Sequence, residues 1–335
     1  MRTLSMLGGV ALIAAIVLVG QTNTSFAQAE NYPNKPIHVV AGDGAGGPID
    51  ILNRAIGEQI QAMTGQKLVI ENMPGGRQVP AAMAVKDAAP DGYTLLSVTQ
   101  NAITLNPLLI KNLRYQPLKD FAPISLLVNQ QHAISFRGPE GTNWKNWTFK
   151  DLVEYSKANP GKIFFGSIGI GSGSHLAFEW MKHKTGARFT HVPYAGSPAM
   201  LRAFRAGEIH LFQVTVSKDV KQMYDDGFAK ALAVPNKGGN PRLPGVPTYD
   251  EAVAEGYAYL PWTGWFAPAG TPKPILAKLH GMVAKIMSDP KWTERFVVGA
   301  GFLPVTSSPD EFRAYLANDA PNHKALLAIA GIKTN

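Results

Sequence analysis

Between Ile37 and Asp50 a short apolar stretch leads into Gly42-Asp43-Gly44-Ala45-Gly46-Gly47 and then into a helical pattern that starts at Pro48. Glycines let a backbone come close to a ligand, and the first turn of a helix offers unpaired N–H groups with a partial positive charge. Such a turn can hold an oxygen anion. The spacing also satisfies G-x-G-x-x-G, and Glu71 closes the next predicted strand roughly where a ribose-binding acid would lie, so a dinucleotide-binding oxidoreductase is one reading. Asp43 and Asp50 favour a carboxylate instead, because both would set negative charge where a pyrophosphate has to lie. Asp50 has a plainer role as well, as a first-turn acid that complements the helix dipole.

A second turn of the same kind runs through Gly166-Ser167-Ile168-Gly169-Ile170-Gly171-Ser172-Gly173-Ser174-His175, again between a predicted strand and a predicted helix. Ser172 or Ser174 can cap that helix, and the same hydroxyls can meet an oxygen anion. Two such turns at the carboxyl ends of strands are what a cleft needs to grip one carboxylate from both sides.

Groupings that would do covalent chemistry are scarce. There is no G-x-S-x-G and no H-E-x-x-H, and the eight histidines are scattered without metal-ligand spacing. His38, His132, His191 and His210 fall in or near predicted strands, where packed or surface roles are expected. His175 directly follows Ser174, and neighbours on a helix point apart, so the two form no nucleophile-base pair. The expectation is a binder with no catalytic residue, no metal and no cofactor; a secreted hydrolase is the rival enzyme class.

Composition narrows the setting. Met1 and Arg2 precede an apolar run over 7–19, followed by small residues at Ser25, Ala27 and Ala29. The run is too short to span a bilayer and reads as a secretory signal, residues 1–27, cut after Ala27 or Ala29 and delivering the chain to the periplasm. No later apolar stretch reaches membrane-spanning length. Zero cysteines exclude a disulfide framework, thiol catalysis and lipid attachment through cysteine. Lysine and arginine total 32 against 24 acids, and the basic residues are dispersed, which argues against nucleic acid and is compatible with an anionic small ligand.

From about Lys35 short apolar runs alternate with helical patterns, the mark of βαβ units around a mostly parallel sheet. Strands are predicted over 37–41, 67–70 and 94–98, with helices over 49–63 and 79–88. The rhythm resumes with helices at 149–158, 175–184 and 199–206 and strands at 163–166, 189–192 and 209–214. A strand at 262–266 follows, and helices finish the chain. Ser308-Pro309-Asp310-Glu311 is a capping box with proline at the first helical position. The irregular stretch 136–147 separates two α/β sets, hence two lobes.

At these residues the chain resembles the Bug-type, or tripartite tricarboxylate transporter, extracytoplasmic solute-binding proteins. The likeness runs over nearly the whole mature sequence. It includes Tyr32-Pro33-Asn34-Lys35-Pro36-Ile37, Gly46-Gly47-Pro48-Ile49-Asp50-Ile51-Leu52, Ala89-Pro90-Asp91-Gly92-Tyr93-Thr94 and Lys119-Asp120-Phe121-Ala122-Pro123-Ile124. Ala158-Asn159-Pro160-Gly161-Lys162, His191-Val192-Pro193-Tyr194 and Ala267-Pro268-Ala269-Gly270-Thr271-Pro272 continue it. Each motif alone is weak; their order together is specific. The resemblance implies an α/β, two-lobed Venus-flytrap fold, each lobe a sheet flanked by helices. Residues 30–130 and 251–335 would form lobe 1, and 131–250 an inserted lobe 2.

It also implies a carboxylate clamp at Ala45, Gly46, Gly47 and Asp50 on one side and Ser172, Ser174 and His175 on the other, and delivery of the acid by a monomer to membrane permease subunits. Specificity would fall to Asp43, Arg77, Asn101, Tyr194, Gln213, Val214 and Thr215. Four departures bear on it: Asp43 stands where relatives usually carry an aromatic, Val214 where they often carry an acid, Ala195 where a lysine or arginine is common, and Gly75-Gly76-Arg77-Gln78 replaces a glycine-rich stretch. A neutral Val214 argues against a plain amino acid, with Asp43 as the one acid that could take its place. The expected ligand is a carboxylate with an apolar or aromatic body, such as an aromatic diacid. Arg77 or Gln213 would meet its far end, with Tyr194 and Trp262 as walls.

Overall fold

A computed structural model describes residues 30–257 and 260–334; the expected signal sequence and its cleavage points lie outside the described residues. Two mixed sheets form the frame. The first has six strands in the order β11-β4-β10-β3-β1-β2, and the second five, in the order β7-β6-β8-β5-β9. In the first sheet β1 (Ile37–Ala41), β2 (Leu68–Asn72) and β3 (Thr94–Thr99) run parallel, joined by α1 (Pro48–Thr64) and α2 (Val79–Lys86). β10 (Trp262–Pro268) lies antiparallel between β3 and β4 (Phe121–Gln130), and β11 (Phe302–Pro304) closes the edge.

The second sheet repeats the scheme. β6 (Ile163–Ser167), β7 (Phe189–Pro193) and β8 (Leu211–Thr215) are parallel, and β5 (His132–Phe136) runs antiparallel between β8 and β9 (Lys230–Ala233). Around them lie α3 (Phe149–Ala158), α4 (Gly173–Thr185), α5 (Ser197–Ala206) and α6 (Lys218–Asp225). The rhythm read from the sequence matches these elements closely. β4, β5, β9, β11 and α6 escaped it. Nearly every residue of β4 is buried, so the strand lacks the in-out alternation that marks a half-exposed one.

One residue, Gln131, separates β4 from β5 and so links the sheets. Its N–H donates to the Gly301 carbonyl at 2.9 Å, and its own carbonyl accepts from Val216 N–H at 2.8 Å. The crossing backbone is thereby fastened to both lobes. The chain returns through β10, and α7 (Lys273–Met287) packs on the first sheet, with Ile275, Leu279 and Val283 fully buried.

The last helix, α8 (Pro309–Ile329), opens with the expected capping box: the Ser308 hydroxyl accepts from Glu311 N–H while Glu311 accepts from Ser308 N–H. Its start belongs to the first lobe, where Phe312 and Leu316 join Trp262 and Phe266. Its end does not. Leu326 packs in the second lobe's core beside Tyr249 and Tyr257, so a boundary at 250 with everything later in lobe 1 is too simple. No helix among the described residues is long and apolar enough to cross a membrane.

Candidate binding cleft between the lobes

The two glycine-rich turns face one cavity. Its volume is about 370 Å³, and its lining comes from both lobes, with Asp43, Gly44 and Gly47 on one side and Ile168, Gly173 and Ser174 on the other. The sheets place them there: each turn leaves the carboxyl end of a parallel strand, β1 or β6, and enters a helix, α1 or α4.

The first turn is braced from below. Gly46, in the left-handed region at φ 75°, donates its N–H to Asp50 Oδ2 at 2.9 Å. Arg54 Nε reaches the same oxygen at 2.9 Å, and Asn72 Nδ2 reaches Oδ1 at 3.0 Å. Burial alone would raise the pKa of Asp50, but these hydrogen bonds and the Arg54 charge hold it below the usual carboxylate range. Asp50 is thus a buried prop and leaves the cavity wall, which corrects its assignment to the clamp. Ala45 and Gly46 are exposed and stand outside the cavity lining, which Gly44 and Gly47 supply.

In the second turn Ser172 caps α4 by accepting from His175 N–H, its hydroxyl 3.1 Å from that of Ser174. Ser174, which does line the cavity, accepts from Ile168 N–H at 3.3 Å. His175 Nδ1 accepts the Gly171 N–H at 3.0 Å while its ring stacks on His191 at 4.1 Å. Burial, then the Lys182 and Arg77 charges, push the imidazole down to about 4, so it is neutral near pH 7. His175 and Ser172 therefore support the turn from within rather than lining the cavity.

A third helix start faces the same space, through Ala195, Gly196, Ser197, Pro198 and Ala199 at the head of α5. Arg202, one turn further on, brings a cation to the lining. Of this site the sequence singled out only Ala195, as a departure, although Gly196-Ser197-Pro198 after β7 has the strand-turn-helix form of the other two.

The floor lies where the chain crosses between lobes. His132 Nε2 is 3.0 Å from Gln130 Oε1, Gln213 Nε2 is 3.4 Å from His132 Nδ1, and Thr215 Oγ1 donates to Gln130 Oε1 at 3.2 Å. Burial pushes His132 down to about 3, so this chain of groups is neutral. His132, expected to be merely packed, is part of the lining, as are Gln213, Val214 and Thr215. Asn101 lines the cavity too, and its buried Oδ1 has no hydrogen-bond partner.

The Asp43 carboxyl accepts from Gln78 Nε2 at 3.3 Å. Burial pushes it up to about 7; the Gln78 hydrogen bond opposes that shift and the Asp50 charge adds to it. Gln78 also accepts from Thr99 N–H and Oγ1, and its side chain lies so near Gly42 that a Cβ there would come within 2.8 Å. Two expected walls are elsewhere. Trp262 is fully buried, its Nε1 donating to Asp319 at 3.0 Å, and Tyr194 packs against the cluster of Met200, Phe204 and Phe212. Arg77 touches the lining, but its guanidinium is spent on backbone and Asn106 oxygens instead of awaiting the far end of a ligand.

Known proteins share this build. Residues 52–332 match the family profile described as tripartite tricarboxylate transporter family receptor. R. palustris Rpa4515 with adipate superposes with a TM-score of 0.83 at 29% identity, covering 90% of this chain and 99% of that one. The periplasmic binding protein BugD gives 0.80 at 31%, covering 90% and 99%. MatC from Rhodopseudomonas palustris with bound malate gives 0.78 at 26%, covering 88% and 100%.

Proposed function

The chain belongs to the tripartite tricarboxylate transporter family of receptors, and on that premise we propose that it captures a small dicarboxylate by closing its two lobes, without altering it. The observation that carries this reading is a single cavity of about 370 Å³ onto which three helix starts open, with Arg202 beside the third. Helix starts favour anions, and two lobes that share one cavity can close on a ligand that bridges them. One carboxylate sits between Gly44 and Gly47 of the first turn and Gly173 and Ser174 of the second. The other end meets Ser197 and Arg202.

Pro48, Ile49, Pro198, Leu201 and Val220 supply apolar walls, which suits a hydrocarbon body between two acid groups. Relatives were solved with adipate and with malate, which supports a diacid. Val214, a neutral lining residue, offers nothing to an α-ammonium. The protein acts in the periplasm after loss of its signal sequence, as a monomer, and hands its ligand to permease subunits of the membrane. The dinucleotide reading falls with the family, and the turn that suggested it spends its Gly46 amide on Asp50.

A thermal-shift screen of aliphatic and aromatic diacids, their monoacid counterparts and amino acids tests this. A diacid at about a hundred times its Kd adds about 2.7 kcal/mol, a rise in Tm of roughly 5 °C. Stabilisation by amino acids alone would remove the reading.

A further inference from the structure

We propose that Arg77 is an interlobe latch: a positioning residue that holds the second turn against the first lobe in the closed form. Arg77 and its neighbour Gln78 both lie in the left-handed region, at φ 56° and 67°. Side-chain-bearing residues avoid that region unless tertiary contacts enforce it.

The enforcing contacts are visible. Arg77 Nε donates to Asn106 Oδ1 at 2.8 Å, and Asn106 Nδ2 donates back to the Arg77 carbonyl at 2.9 Å and to Tyr115 Oη at 3.0 Å. Tyr115 in turn donates to the Ala102 carbonyl at 2.7 Å. The first lobe thus helps to set the guanidinium in place. Its remaining nitrogens cross the cleft, Nη1 to the Ile170 carbonyl and Nη2 to the Gly171 carbonyl at 3.4 Å.

Both carbonyls belong to the turn that carries Ser172 and Ser174. Gly171, at φ 71°, sits so close to the first lobe that a Cβ would fall 2.8 Å from Leu109 and 3.0 Å from Arg77 Nη1. Charge-assisted bonds from a preset fork to two adjacent carbonyls exist only while the turn is docked. They therefore favour the closed form over the open one, whatever occupies the cavity. The consequence for ligand rests on the cleft being the binding site: a latched turn slows release.

The test begins with unliganded protein, carrying one fluorophore on each lobe and observed by single-molecule energy transfer. Arg77→Gly removes the latch; relief of the left-handed strain offsets the lost bond to buried Asn106, so its Tm should stay within a few degrees of wild type while the closed-to-open ratio falls at least threefold. Arg77→Met should open the protein likewise, and Arg77→Lys, which can reach one carbonyl but cannot also hold Asn106, should lie between. An unchanged ratio in Arg77→Gly and Arg77→Met overturns the latch. With adipate as probe, stopped flow should show dissociation about tenfold faster in Arg77→Gly and association within twofold. Should wild type fail to bind adipate or any other diacid, the proposed function fails while the unliganded measurement still decides the latch.

Discussion

The two glycine-rich turns leave equivalent strands and enter equivalent helices, yet they are held by opposite means. The turn before α1 rests on an ion: the buried Asp50 carboxylate, tied to Gly46, Arg54 and Asn72. The turn before α4 rests on neutral groups, namely the Ser172 cap, the Ser174 hydroxyl and an imidazole. Asp50 gathers three hydrogen bonds and is costly to lose. The neutral set is spread over three side chains, each replaceable at smaller cost, and takes further support from Arg77 of the other lobe. The first turn is therefore a rigid half of the site, and the second turn is the half whose position depends on closure.

The largest effect is expected from breaking the rigid half. Asp50→Ala removes the acceptor shared by Gly46, Arg54 and Asn72; the exposed Gly46 amide and the half-exposed Arg54 turn to water, so the loss costs about 2 kcal/mol. Calorimetry should show a clear drop in Tm and at least a hundredfold loss of diacid affinity. Because hydrogen bonds hold the Asp50 pKa below its unfolded value, the stability it adds is complete above the ordinary carboxylate range and disappears as pH falls through its folded pKa. The gap between wild type and Asp50→Ala should therefore close in acid.

Ser172→Ala with Ser174→Ala disturbs the neutral half. Loss of the helix cap costs about 1 kcal/mol, so the fold should survive, with affinity down ten- to a hundredfold by isothermal titration. Unchanged affinity would show that the second turn does not clamp the ligand.

The smallest effect sharpens the contrast through pH. Burial raises Asp43 to about 7, so as pH rises from about 4 the unfolded chain loses this proton before the folded protein does. Stability falls across that window and stays lower above it. An ionised Asp43 also repels a carboxylate ligand. Diacid affinity should weaken a few-fold between pH 6 and 8 in wild type and stay flat in Asp43→Asn; equal slopes would place Asp43 outside the site's electrostatics.

Both turns were legible in the sequence because glycine and a helix start leave a local signature, and the βαβ rhythm placed them at strand ends. Gln213, Val214 and Thr215 were found through resemblance to relatives. Side chains that act at a distance were not legible. Asp50 and His175 looked like ligand contacts and proved to be props. Arg77 was assigned to the ligand's far end and reaches the opposite turn instead. His132 and Gln130 join the lining although nothing in their neighbourhood marks them. Tyr194 and Trp262 had the chemistry of walls and were taken up by packing.

By itself the sequence determined the local chemistry: which segments become strand, turn and helix, and where unpaired amides emerge, since those depend on residues a few positions apart. Only the tertiary structure decided which atoms face the cavity. Ile170 lies 93 positions from Arg77 and Asp319 lies 57 from Trp262, and such partners are chosen by the packing of two lobes that the chain crosses at Gln131, on its return to β10 and along α8. Local rules create the donors, and the closing of the cleft determines where they point.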